Sequence, residues 1–421
     1  MSRHPIRVVV TDDLQRNRVT VFFRLLLAIP HYIWAALWTV AAIVAAIVSW
    51  FATLARGQTP DGLHDFLARY VRYLTHLHAY LLLAADPYPP FTGGESYPVD
   101  VEIDPPAPQH RGKTAARIVL AVPAVLLAEA FVGFGGGRAW RGHGDGSFQY
   151  SQSGAATVVA ILAWFACLAL ARMPRGFRDL QAYSIRYAAQ TWGYLLLLTD
   201  RYPDARPAEP PAAAPETPHP VAIVITDDLG RGRLTVLFRI LLALPHLVWI
   251  LLWVVVLIPV LVVSWVATLV SGRLPASLHR FLSAYLRYQT HLSAFVYLVA
   301  NPFPGFTGAP GYPIDLELPR EPEPQSRAKT ALRLLLALPA WIAAAGLGGA
   351  ALVAAVLGWF AALATGRMPR GLRDLGAWSI RYTGQTDAYL FFVTERYPYS
   401  GPYEFAEPPP EEEDAAQYAA A

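Results

Sequence analysis

Two sets of arginines recur at fixed places along this 421-residue chain, and the natural chemistry of a guanidinium is to bind anions. Arg24, Arg117, Arg239 and Arg333 each stand one turn inside the start of a long apolar run. Arg72, Arg186, Arg287 and Arg381 are each followed by a tyrosine. The planar fork of five donors fits a phosphate, so all eight are candidate contacts for lipid headgroups. A structural reading competes. Arginines near the ends of membrane helices snorkel to the interface. The arginine of each Arg-Tyr pair is also placed to bind the acid of a closing turn, Asp86, Asp200 or Glu395, and so to anchor its helix. The third repeat has Asn301 there, so that pairing is not compulsory.

Other reactive residue types form no recognisable constellation. His31 and His246 follow prolines, and His76 and His78 are two apart, which on a helix turns them in different directions. No carboxylate or cysteine cluster accompanies them, so no metal site is expected. Asp12-Asp13 and Asp227-Asp228 read as N-terminal helix caps. The glycines at 133–137 lack the Gly-Lys-Ser/Thr that completes a phosphate loop. No nucleophile stands at a recognisable spacing from a base, and no catalytic residue or cofactor is assigned. Cys167, the only cysteine, lies in an apolar run, which excludes an internal disulfide and a cysteine metal cluster. Lys113 and Lys329 are the only lysines, and no basic block is dense enough for nucleic acid.

The elements that must position these residues occur four times. The repeats span 5–91, 97–203, 220–306 and 312–400. Each has a short strand, an arginine, a long apolar run with an early proline and a late tryptophan, then a second proline, an Arg-Tyr helix and a closing turn. The first and third copies match at a constant offset of 215, including Thr-Asp-Asp-Leu at 11–14 and 226–229. The second and fourth match at 216 for Arg117 and Pro123, but at 195 from Trp164 onward, so the second copy holds 21 extra residues. A two-repeat unit is duplicated. The halves are 1–203 and 220–400, joined by a Pro/Ala-rich linker at 204–219 and followed by an acidic, disordered tail at 401–421.

Hydrophobic residues make up 54% of the chain and charged residues only 15%, against about 25% charged in soluble domains. Residues 25–55 and 240–270 carry no Asp, Glu, Lys or Arg. Runs of this kind read as membrane-spanning. The first residues lack the apolar core of a signal peptide, so the first run is expected to direct insertion. The extra residues of the second copy are polar and glycine-rich, cannot sit in hydrocarbon and must be extruded. Pro259 in the third run and Gly346, Gly348 and Gly349 in the fourth occupy corresponding places. The preferred reading is therefore a helical hairpin in each run; four long tilted helices are the alternative. The hairpin reading puts the N-terminus, the linker and the tail in the cytoplasm and loop 137–153 outside.

Alternation of apolar residues predicts half-buried strands at Ile6–Val10, Val99–Ile103, Val221–Ile225 and Ile314–Leu318. They are expected to pair, within a half or across both; Pro5–Val10 with Tyr97–Ile103 would hold the first two repeats together, and Pro220–Ile225 with Tyr312–Leu318 the last two. Val101 faces inward and Asp100 outward, so Asp100→Val is expected to be tolerated. In the segment after the first run, Asp65, Arg69, Arg72 and His76 form one polar stripe opposite Phe66, Tyr70, Leu74 and Leu77. That pattern predicts an amphipathic helix lying in the interface.

The residues R-x-LLA-[IL]-PH at 24–31 and 239–246, Trp-Phe-Ala at 50–52, G-R-M-P-R-G-L at 366–372 and Arg-Tyr with the closing Tyr-Pro resemble the bacterial membrane family of unknown function DUF4389, in tandem copies. The even copies depart from its pattern, with Ala124 and Ala340 in place of histidine. The resemblance implies a bacterial membrane protein and supplies no catalytic residue. The expected fold class is an all-α multi-pass membrane protein with short β-strands, in two pseudo-equivalent halves. The expected function is non-enzymatic: a structural or accessory protein of the bacterial cell membrane, with lipid as its partner. A transporter or channel is the alternative, motivated by the internal duplication; an enzyme acting on lipid comes third.

Overall fold

A computed structural model describes residues 3–133, 154–207 and 218–402. The N-terminal half runs β1 (Ile6–Val10), α1 (Arg18–Leu27), α2 (Ile29–Arg56), α3 (Asp61–Leu81), β2 (Val99–Ile103), α4 (Arg111–Val132), α5 (Ala155–Leu170) and α6 (Arg175–Leu195). The C-terminal half runs β3 (Ala222–Ile225), α7 (Arg233–Leu237), α8 (Arg239–Ser271), α9 (Ala276–Val296), β4 (Ile314–Glu317), α10 (Arg327–Ala331), α11 (Arg333–Thr365) and α12 (Arg370–Leu390). The described residues form two compact units. The first takes in 336–357, the middle of α11, and 399–402; the second holds 219–335 and 358–398.

Local sequence sets the element ends. Asn17 starts α1 by accepting from the Val19 N–H at 2.9 Å. Gly57, Gly272 and Gly366 stop α2, α8 and α11 in the left-handed conformation, with φ of +80°, +73° and +75°. Pro60, Pro174, Pro275 and Pro369 stand just before α3, α6, α9 and α12.

The apolar runs are not hairpins. α2, α8 and α11 are single helices of 28, 33 and 33 residues. Pro259 lies inside α8, and Gly346, Gly348 and Gly349 lie inside α11. A glycine costs a helix only about 1 kcal/mol, too little to break one that packs. At Gly346 an added Cβ would stand 3.4 Å from Ala155, so this glycine lies where α11 meets α5 closely. The second run is one interrupted helix. Its two pieces follow each other along α6: Arg117 meets the end of α6 at Tyr194, Phe131 meets Tyr183, and Ala156 accepts from Gln181. The Gly154 N–H donates to the Gly133 carbonyl at 2.9 Å and closes the neck of the inserted segment. Loop 137–153 falls outside the described residues, as do most of the linker and the tail.

The first unit is layered. The apolar helices α2, α4 and α5 pack on α3 and α6, and the β1–β2 ribbon packs on α3 and α6 from the other side. Trp50 of α2 donates to the Thr114 carbonyl at the start of α4, and Trp164 of α5 donates to the Val21 carbonyl in α1. The two long runs are therefore antiparallel. The strands pair antiparallel with Val8 opposite Val101, and Ile6, Val101, Leu67 and Val71 share one apolar core. In the second unit β3 pairs with β4, Ile223 opposite Leu316, and α9 and α12 pack against each other and against this ribbon.

The helices that follow the apolar runs, the return helices α3, α6, α9 and α12, are largely buried rather than interfacial. Their polar stripes meet the layers on either side: Gln190 donates to the Ile6 carbonyl at 3.0 Å and Arg72 to the Val101 carbonyl at 3.2 Å. In α3, Arg72 and His76 of the polar stripe meet the ribbon, while Asp65 and Arg69 stay exposed. The exposed surface of the long helices is apolar instead. Ile33, Leu37, Val40, Val44, Ile47 and Phe51 of α2 stand out, while His31, Ala42, Ser49 and Thr53 turn inward. Four helices, Ile29–Arg56, Arg111–Val132, Arg239–Ser271 and Arg333–Thr365, are long and apolar enough to cross a membrane.

Candidate functional site

The four arginines that open the apolar runs are 1–3% exposed, so the headgroup contacts expected of them are closed off. Each binds the end of the return helix of its own repeat. Arg24 Nη1 donates to the carbonyls of Tyr80 at 2.7 Å and Ala85 at 3.0 Å, and Nη2 donates to Asp86 at 2.8 Å. Arg117 repeats this on Tyr194, Thr199 and Asp200, Arg239 on Phe295, Ala300 and Asn301, and Arg333 on Tyr389 and Thr394. Each guanidinium also lies 4.3–4.6 Å over the ring of that first aromatic residue. The helix ends need this because Leu83, Leu197, Leu298 and Phe392 turn out of the helix with φ near +60° and leave carbonyls free. Asn301 serves where the other turns have an acid, since an amide oxygen also accepts.

The closing acids therefore belong to the first arginine set, not to the Arg-Tyr pairs. Glu395 differs, pairing with Lys329 at 2.8 Å. Arg72 and Arg287 face the ribbons, donating to the carbonyls of Val101 and Leu316, each at 3.2 Å. Arg186 donates to the Arg206 carbonyl and lies 5.1 Å from the Tyr183 ring centre, and Arg381 is buried. The tyrosines explain the histidines of the odd repeats: Tyr73 OH lies 3.1 Å from His31 Nδ1, and Tyr288 OH lies 3.0 Å from His246 Nδ1. The even repeats have alanine in place of the histidine.

A second pairing of the odd repeats was not legible in the sequence. His76 Nε2 lies 2.8 Å from Asp100 Oδ1, with its ring against Tyr97; His291, Asp315 and Tyr312 repeat the arrangement at 2.9 Å. Burial pushes the Asp100 carboxyl up, but the hydrogen bonds from His76 and the Val101 N–H, with the Arg72 charge, hold it below the usual range. Among the described residues no group of three or more histidine, cysteine or acidic side chains could hold a metal.

Asp12 and Asp13 do not cap a helix. Asp12 accepts from the Leu14 N–H at 3.0 Å and takes both outer nitrogens of Arg16 at 2.9 Å. Arg16 also donates to the Leu83 and Ala84 carbonyls. Leu14, at φ +66°, turns its carbonyl to the Met173 N–H at 2.8 Å. Asp227, Leu229, Arg231 and Met368 repeat every contact in the second unit. The loop thus joins the start of an odd repeat to the Arg-Met-Pro-Arg-Gly stretch of the even one. In the first unit a cleft of about 960 Å³ opens here, lined by Thr11, Asp13, Leu170, Arg172, Arg175 and Arg178 among others.

The chain belongs to the family described as a domain of unknown function (DUF4389), whose model matches residues 18–93, 233–307 and 327–400. The matches begin at α1, α7 and α10 and run to about the closing turns. The second repeat, which carries the inserted segment, lies outside them. No curated protein and no solved structure matches the chain.

Proposed function

We propose that this protein is a non-enzymatic organiser of the lipid bilayer, seated in the bacterial cell membrane by its exposed apolar helices. The observation that carries the reading is the layer order of the first unit: apolar helices on one side, polar return helices in the middle, and a charged ribbon on the other side. The ribbon presents Arg7, which pairs with Glu102 at 3.2 Å and Asp104 at 2.9 Å, and these two acids are about half exposed. Stood upright, all three layers would share the membrane depth, and those charges would face hydrocarbon at a cost of several kcal/mol. Laid flat, the long helices meet acyl chains and the ribbon meets water. Length points the same way. The 33 residues of α8 extend about 50 Å, against a hydrocarbon core of about 30 Å.

A multi-pass protein is the second reading, supported by the four uninterrupted or nearly uninterrupted apolar helices. Its transporter or channel form draws on the duplication. Against it, the polar side chains between helices, such as Arg117, Gln181 and Gln190, are engaged with backbone carbonyls instead of lining a path. Reconstitution tests the choice. Purified protein added to vesicles holding a trapped dye should change vesicle size or shape and leave the dye inside. Unchanged vesicles that leak would favour the channel.

A further inference from the structure

We infer that the cleft at the start of α6 binds a phosphate-bearing anion, and that the same residues at the start of α12 form its repeat. The inference rests on the membrane reading above and names what the polar layer adds to it.

Arg172, Arg175 and Arg178 stand three residues apart across Pro174, where α6 begins. All three line the cleft. Arg178 is held in place, its Nε on Asp179 at 2.6 Å and one Nη on the Asp12 carbonyl at 3.3 Å. The Arg172 side chain makes no hydrogen bond or ion pair among the described residues. Arg175 is about one-third exposed, at the edge of contact with Asp179 at 4.0 Å. Of the two acids lining the cleft, Asp12 is neutralised by the two bonds from Arg16. Asp13 accepts the Gln15 N–H at 2.9 Å. With Arg178 paired to Asp179, the Arg172 and Arg175 guanidiniums outnumber the one remaining lining carboxylate, Asp13, and the positive end of the α6 dipole adds to them.

Position supports a headgroup. Leu170 of the apolar layer, 67% exposed, forms one wall; Val10 and Thr11 at the end of the ribbon form another. The arginines sit between them. A lipid whose chains lie along the exposed face of α5 brings its phosphate to that height. The triad is also specific to the even repeats. Arg367, Arg370 and Arg373 recur at the start of α12, whereas the odd repeats have Gln58, Asp61 and His64, or Arg273, Ala276 and His279.

Native mass spectrometry of the full chain in detergent micelles tests this, with phosphatidylglycerol, phosphatidylcholine and inorganic phosphate as probes. The variants are Arg172→Gln, and Arg172→Gln with Arg367→Gln; the other four arginines stay, because they have partners in the fold. The wild type should prefer phosphatidylglycerol, and the double variant should bind it about tenfold more weakly while unfolding at an unchanged temperature. If inorganic phosphate displaces the lipid, the site takes free phosphate; if not, it takes the headgroup. Equal binding of phosphatidylglycerol by wild type and a folded variant overturns the inference, as does a wild type that binds neither anion. The membrane reading fails separately, if the wild type does not float with neutral phosphatidylcholine vesicles.

Discussion

Arg24 Nη1 donates to the Tyr80 carbonyl at 2.7 Å while the Arg24 guanidinium lies 4.4 Å from the centre of the Tyr80 ring. One side chain therefore caps the return helix and covers its last aromatic residue, and all four repeats use the device. Arg24→Ala leaves buried carbonyls without this donor and removes the ion pair with Asp86, and should cost roughly 3 kcal/mol of stability. Arg24→Lys should recover little, because one ammonium cannot reproduce the fork. Denaturant unfolding in mild detergent measures both. A lysine variant as stable as wild type would show that charge alone suffices.

Asp100 tests the ribbon. Its position on the outward side of an alternating strand reads as free to change. In the fold it accepts from His76 at 2.8 Å, the Ser96 N–H at 3.1 Å and the Val101 N–H at 2.7 Å. Asp100→Val should therefore destabilise by about 1–3 kcal/mol, as does loss of a hydrogen-bonded charge. Because its folded carboxyl is held below the usual range, Asp100 contributes stability above the unfolded value near 4, lost as pH falls through the lower folded value. Melting temperatures between neutral and acid pH should converge for wild type and Asp100→Asn.

Asp387 behaves in the opposite sense. Burial between α9 and α12 raises its carboxyl to about 7, although Gln289 donates to it at 3.1 Å. The folded state then holds a proton that the unfolded chain has released. Stability should fall as pH rises from about 4 to about 7 and level off above that, by about 4 kcal/mol at most. Asp387→Asn should remove this dependence and be the more stable protein at pH 8. A wild type whose stability does not decline over that range would contradict the assignment.

The repeat, the paired strands and the apolar runs were legible because each rests on short-range pattern. The Ile6–Val10 alternation and the partner strand at Val99–Ile103 needed only period two. The hairpins were misread because Pro259 and Gly346 are breakers by local propensity, whereas packing decides, as the close approach of Gly346 to Ala155 illustrates. The interfacial helices were misread for a related reason. A polar stripe records that something polar lies opposite, and at Arg72 that is the Val101 carbonyl, not water. His76 with Asp100 is separated by 24 residues of which no spacing rule speaks. The Arg-Met-Pro-Arg-Gly stretch at 172–176 and 367–371 reads as a motif in the sequence, but only the fold sets Arg178 beside Asp12.

The one-sided seating of the long helices is tested most directly at the two ends of the α1–α2 run. In a Cys167→Ala background, Arg18→Cys lies at the start of the run and Gln58→Cys just past its end, both exposed. A membrane-impermeant maleimide applied to intact spheroplasts, and then to inverted vesicles, reports the side on which each thiol stands. The account predicts that both cysteines label from the same side and neither from the other. Labelling of the two from opposite sides would contradict it, and would make α2 a crossing helix.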